Sequence, residues 1–290
     1  MKLRVVELLL VSTVPALFLA ADGWPPLVPS LASIFGGTLA AGAANAFNMV
    51  IESETDALMG RTKGRPLVVG ELTKAQANRF ATLIMLLSLT IFWFYTTPLA
   101  TLLTSIAIVF YVAIYTVGLK KRTDQNIVWG GIAGCMPVLI GWAAISNTLT
   151  WTAILFFLVI FFWTPPHFWA LAIKYKDDYS AAGIPMLPVV APMKSVRKQI
   201  WFHSIAMVLV SCATIYSAKL VWWIWIPNLL LAAKFLLEVK DLHGPESSKA
   251  AGKLFHWSIT YLSAFSLTLV IGALLDRKST RLNSSHTDIS

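Results

Sequence analysis

Asn48, Glu52 and Asp56 stand at positions i, i+4 and i+8. On a helix their side chains line one face, about 6 Å apart along the axis. Two carboxylates and an amide oxygen in a row make a surface of hard oxygen ligands. Such a surface suits Mg2+, which proteins usually hold with one or two carboxylates together with substrate phosphates. Glu54 points well away from that face. Arg61, Lys63 and Arg65 follow a few residues on. Acids to hold a metal and guanidinium forks to hold phosphate oxygens are what a metal–diphosphate site requires. A second acidic pair, Asp177 and Asp178, lies in the mixed run Lys174–Tyr179. The competing reading of both clusters is a solvated loop at a membrane edge, and spacing alone does not choose between them.

The elements that must carry these residues are membrane helices. Charged residues make up 13% of the 290 positions and hydrophobic ones 57%, against about 25% charged in a soluble domain. That composition excludes a disordered chain, a disulfide scaffold and an ordinary soluble enzyme, and leaves an all-α polytopic membrane protein. Nine continuous apolar runs approach the roughly 20 residues a spanning helix needs: Val5–Ala21, Leu31–Ile51, Phe80–Thr96, Leu99–Leu119, Ile127–Ile145, Trp151–Ile173, Ile200–Tyr216, Leu220–Leu237 and Leu254–Leu275. The runs do not alternate in the way barrel strands do. With the N-terminus placed inside, the inner segments and Lys234 hold 19 of the 23 Lys and Arg residues. This bias predicts an N-in, C-out orientation and sets the net charge of +9 on the inner face. Both acidic clusters then fall at inner helix ends. Acids are few, so finding five of the 14 in these two places is informative.

The chain is read as one transmembrane domain over residues 1–278. The polar tail 279–290 is read as disordered, and its run STRLNSSH has the look of a non-native addition. Cys135 and Cys212 fall in apolar runs without ligand spacing and read as small buried residues. Gly36, Gly37 and Gly42 give the second span a small-residue face for close packing. Pro165 and Pro166 predict a local break in the sixth span.

Three stretches carry a family resemblance. NMVIESETDALMGRTKGRPL, from Asn48 to Leu67, resembles the first motif of the UbiA-type intramembrane prenyltransferases, N-x-x-x-D-x-x-x-D followed by R-T-x-x-R-P-L. FFWTPPHFWALAIKYKDDYSAAGIPMLPVV, from Phe161 to Val190, is similar to the branch of that family that farnesylates heme, the heme O synthases. The stretch Tyr115–Trp142, with LKKRTDQNIVWGGIAG, is similar to the same branch. The resemblance covers Val5 to Leu275. Glu52 and Glu54 stand where the family more often has Asp, and Asp124 and Met136 where it often has Pro.

The resemblance implies a UbiA-type helix bundle in the cell membrane with its site facing the cytoplasm. It implies that farnesyl diphosphate and heme B react to give heme O and diphosphate. Asn48, Glu52, Asp56, Asp177 and Asp178 match the acidic motifs and are expected to hold Mg2+. Arg61, Arg65, Lys120, Lys121 and Arg122 are candidates for the diphosphate, the alternative for each being a positive-inside anchor. His167 lies within the branch-specific string and is a candidate heme-binding residue, the alternative being a packed, hydrogen-bonded side chain. His203 and His256 read as structural. Trp163, Phe168 and Trp169 suit an isoprenoid channel or ordinary helix packing. Partners beyond the two substrates and lipid are a downstream heme-modifying enzyme or heme–copper oxidase assembly; nothing suggests nucleic acid. Rival readings are a UbiA-type enzyme with a quinone-type acceptor, a secondary transporter and a non-catalytic assembly factor. The T-P-P-H-F-W string argues against the first, and acids at the inner edge, away from the midplane, argue against the second.

Overall fold

The structure, a computed structural model, describes residues 3–58, 60, 62–244 and 247–287, with side chains described from residue 8 to residue 275 of these. Those residues form a bundle of helices: α1 (Leu3–Ala20), α2 (Leu27–Ile51), α3 (Ser53–Leu58), α4 (Lys74–Tyr95), α5 (Pro98–Val109), α6 (Asn126–Ser146), α7 (Trp151–Lys174), α8 (Lys176–Ala181), α9 (Leu187–Val190), α10 (Met193–Ser217), α11 (Trp225–Asp241) and α12 (Ser247–Thr287). Among the described residues, eight helices are long and apolar enough to cross a membrane, and Leu8–Ala20 adds a shorter apolar one. Every span expected from the apolar runs falls on one of these helices. The short α3, α8 and α9 lie in the connections, on the side to which both acidic clusters were assigned.

Local chemistry sets the ends. Thr73 and Gln76 form a reciprocal capping box at α4, with Thr73 N donating to Gln76 Oε1 at 2.9 Å. Thr97 caps α5 and Pro98 occupies its first turn. Asn147 closes α6 in the left-handed region at φ 52°.

α7 is the central helix, packed against α6, α10 and α12. Phe156 of α7 meets Phe265 of α12 edge-on at 6.2 Å, and Phe235 of α11 meets Tyr261 of α12 at 5.3 Å. α2 packs closely on α4. Ser88 Oγ donates to the Gly36 carbonyl at 2.7 Å, and a Cβ on Gly36 would stand 2.9 Å from the Phe92 ring. The small-residue face thus brings two backbones together, as its composition predicts.

The outward faces are apolar instead of polar. Leu83, Leu86, Leu87, Trp93 and Phe94 of α4 are all exposed. A surface of that kind needs hydrocarbon as its solvent. Trp24, Trp151 and Trp222 are exposed at the connections opposite the acidic clusters, the position of an interfacial aromatic belt. The protein is an integral membrane protein.

Two elements within the bundle depart from the sequence expectation, and α12 continues as helix to Thr287, into the tail 279–290 that the sequence reads as disordered. α7 runs unbroken through Pro165 and Pro166. The two prolines remove two ladder donors, and neighbouring helices hold the segment: Pro165, Pro166 and His167 are all buried. Beyond Val109 the fourth span continues as a π-helix, Phe110–Leu119, a rare geometry frequent at functional sites. Thr116 Oγ1 and Lys120 N both reach back five residues, to the carbonyls of Tyr111 (2.8 Å) and Tyr115 (2.9 Å).

Candidate active site

The four-residue spacing of the first acidic motif survives the end of its helix. Glu52 N donates to Asn48 O at 2.9 Å, and Asp56 N to Glu52 O at 2.8 Å. α2 therefore passes into α3 without losing its phase. Asn48, Glu52 and Asp56 are 4–5% exposed, whereas the Glu54 side chain is 93% exposed. The structure brings together the three residues that the spacing put on one face and turns Glu54 away.

Each of the three meets a partner. Asn48 Nδ2 donates to Thr116 Oγ1 of the π-helix at 3.1 Å. Glu52 Oε2 accepts from Lys120 Nζ at 2.6 Å, a pair whose side chains are 6% and 21% exposed. Asp56 forms an ion pair with Arg65, and its carbonyl accepts from Thr62 Oγ1 at 2.7 Å. Two of the cations expected to bind diphosphate therefore neutralise the acids expected to bind metal. Lys121 Nζ donates to Thr55 Oγ1 at 2.6 Å on the exposed side of the same cluster. Arg122 is exposed. Arg61 lies outside the described residues.

Among the described residues, Glu52 Oε1 is buried with no hydrogen-bond partner, and so is Asn126 Oδ1. Asn126 is wholly buried and its Nδ2 donates to the Lys120 carbonyl at 3.1 Å. A buried carboxylate oxygen with no donor is costly unless a cation meets it. Glu52 Oε1, the Asn48 amide oxygen and Asp56 form the hard-oxygen set that Mg2+ takes, so these residues fit that ion. Among the described residues no three His, Cys, Asp or Glu side chains converge as a metal cage. Asp177 and Asp178 are thus not gathered with Glu52 and Asp56 into one such cage among the described residues.

Asp177 and Asp178 occupy the first turn of α8, where negative charge also favours the helix N-terminus. Asp177 is exposed and Asp178 half-buried. Tyr115 lies within electrostatic range of Glu52 and of Tyr179, the residue after Asp178. Tyr111 likewise lies within electrostatic range of Glu52 and Arg65. The two tyrosine rings lie 5.6 Å apart. Tyr115 packs directly over Gly130, where a Cβ would stand 2.3 Å from the ring.

Sequence spacing did not pick out Tyr111, Tyr115, Thr116 or Asn126. Their signal was weak: they lie in or beside the similar stretch from Tyr115 to Trp142, but no local pattern marks them as neighbours of the acidic row or of Lys120.

His167 sits deeper in α7 and is 8% exposed. Its ring stacks on Trp163 (4.3 Å, 20°) and Phe255 (4.6 Å, 28°), and Nδ1 lies 2.7 Å from Ser258 Oγ. His203 and His256 bond carbonyls of their own helix, Gln199 O at 2.8 Å and Gly252 O at 2.7 Å, as structural residues do. Cys135 is buried and Cys212 half-buried, both free thiols.

Residues 9–259 match the model of the UbiA prenyltransferase family. A protein of Parafrankia sp. (strain EAN1pec) named protoheme IX farnesyltransferase is 48% identical over 280 residues, covering 95% of this chain and 89% of its own. Among solved structures, digeranylgeranylglyceryl phosphate synthase superposes with a TM-score of 0.75 at 16% identity, over 93% of this chain and 99% of its own. A UbiA homologue from Archaeoglobus fulgidus bound to DMAPP and Mg2+ superposes with a TM-score of 0.69 at 15% identity, over 92% and 97%.

Proposed function

This chain belongs to the UbiA prenyltransferase family, and from that membership we propose that it farnesylates heme B, with farnesyl diphosphate as donor and heme O and diphosphate as products. The observation that carries the acceptor is the 48% identity, over nearly the whole chain, to a protoheme IX farnesyltransferase. The observation that carries the donor chemistry is the buried row Asn48, Glu52 and Asp56 opposed by Lys120 and Arg65.

In this reading Asn48, Glu52 and Asp56 hold Mg2+ against the diphosphate, and Asp177 and Asp178 form the facing rim. Mg2+, when bound, neutralises the charge that develops on the departing diphosphate. The unpartnered Glu52 Oε1 supports the ligand assignment, and the Mg2+ and DMAPP in the Archaeoglobus fulgidus homologue support the class of donor. Lys120 and Arg65, with Arg61, Lys121 and Arg122, turn toward phosphate oxygens when the substrate arrives.

The allylic C–O bond breaks and its electron pair leaves with diphosphate. The terminal vinyl carbon of heme B bonds to the farnesyl carbon, and water captures the cation left beside the porphyrin and loses a proton. Tyr111 and Tyr115 lie within electrostatic range of Glu52, and an aromatic face turned to an allylic cation would stabilise it through the ring quadrupole. His167 binds the heme. The enzyme lies in the plasma membrane with this site toward the cytoplasm, as the inner-face excess of basic residues supports. Its product passes to a heme-modifying enzyme or to heme–copper oxidase assembly.

Purified protein given heme B, farnesyl diphosphate and Mg2+ is expected to yield a farnesylated, hydrated heme by mass spectrometry. Prenylation of a quinone precursor with heme left untouched would overturn the acceptor assignment while leaving the family intact.

A further inference from the structure

Two residues of α7 hydrogen-bond to one residue of α12, Ser258. Trp163 Nε1 donates to the Ser258 backbone carbonyl at 2.7 Å. Four residues along α7, His167 Nδ1 lies 2.7 Å from the Ser258 hydroxyl. Ser258 is wholly buried. Its hydroxyl has one hydrogen, and Oγ directs it to the Phe255 carbonyl at 2.6 Å. With its hydrogen on the Phe255 carbonyl, Oγ meets His167 through a lone pair, and on that ground we assign the shared proton to Nδ1. A neutral imidazole protonated on Nδ1 carries its free lone pair on Nε2.

The plane of the ring is fixed as well as its tautomer. Trp163 and Phe255 stack on its two faces, and Phe168 meets it edge-on at 5.0 Å and 88°. Nε2 has no hydrogen-bond partner among the described residues, and it is not among the fully sealed polar atoms. An imidazole with Nδ1–H held by a neighbour and Nε2 free is prepared to ligate a metal through Nε2, and outer partners of this kind orient the ligand and raise its basicity.

We propose that Ser258 is a positioning residue: its hydroxyl holds His167 as the Nδ1–H tautomer, so that Nε2 is presented to the iron of the heme substrate. The proposal rests on the heme-binding role of His167 given above and adds the residue that makes that role possible. The aromatic sandwich prevents ring rotation, and the hydroxyl decides which nitrogen is free.

Heme B titrations of the full-length protein in lipid nanodiscs, without prenyl donor, test this through the absorption spectrum and the heme dissociation constant. Ser258→Ala is expected to weaken heme binding roughly ten- to hundredfold and to alter the ligation bands. Ser258→Thr, which keeps the hydroxyl, restores both. Ser258→Cys keeps the volume with a weak acceptor and behaves as Ser258→Ala does, which covers the case of a poorly folded Ala variant. Mg2+-dependent binding of farnesyl diphosphate, unchanged throughout, reports an intact fold. A wild-type spectrum and affinity in Ser258→Ala, with both lost in His167→Ala, would overturn the role of Ser258 and leave that of His167 standing. An unchanged spectrum in His167→Ala as well would remove the heme role of the histidine and the proposal with it.

Discussion

Asp56 is the residue on which both halves of the proposed donor chemistry meet: one of the three oxygen donors assigned to Mg2+, and the partner of Arg65. Asp56→Ala removes a ligand and leaves a mostly buried guanidinium unpaired, so turnover is expected to fall by at least about 100-fold, the usual effect of losing one preorganised electrostatic contact. Asp178→Ala is expected to do the same from the facing rim. Chelation of Mg2+ should stop the wild-type reaction, and added Mg2+ should restore it. Farnesylated heme measured by mass spectrometry is the readout, and ordinary turnover in both variants would exclude the acids as a metal site. The first motif was legible in the sequence because the helical phase carries from α2 into α3, so that spacing alone put three residues on one face. The pairing of Glu52 with Lys120 was not legible. The two are 68 positions apart, and only the packing of separate helices joins them.

The π-helix Phe110–Leu119 is the element that makes this joining possible. Its five-residue hydrogen bonds set Thr116 against Asn48 and Lys120 against Glu52. An apolar run reads the same whether it winds as an α- or a π-helix, so the sequence announced the span but not this turn. The prolines of α7 misled for a related reason. Local chemistry predicts a break, but burial between neighbouring helices overrides it. Gly130 tests the placement of the segment from the opposite side. Gly130→Ala puts a Cβ 2.3 Å from the Tyr115 ring and must displace it. A loss of stability of about 1–3 kcal/mol is expected from overpacking, together with a fall in turnover of roughly 100-fold if the ring moves by about 1 Å. Gly252→Ala in α12 meets nothing within 4 Å and serves as the comparison, expected to be neutral or stabilising by up to about 1 kcal/mol. Thermal unfolding and product formation read the two effects separately.

At the scale of the molecule, composition and apolar run length were sufficient for the helix bundle, because hydrocarbon leaves few ways to satisfy a backbone. The orientation is tested by single cysteines in a background where Cys135 is buried and Cys212 half-buried. Lys63→Cys is expected to react with an impermeant maleimide only from the cytoplasmic side, and Lys219→Cys only from the opposite side; the reverse pattern would invert the topology. The exposed tryptophans at one boundary and the acids at the other hold the bundle at a fixed depth. Both proposed substrates are amphiphiles, and partitioning into the bilayer would bring them to the enzyme by diffusion in two dimensions. The concentration that governs its rate is then their mole fraction among the lipids and not their molarity in the buffer. Adding inert lipid at constant bulk substrate should slow the reaction by surface dilution, and removing it should restore the rate.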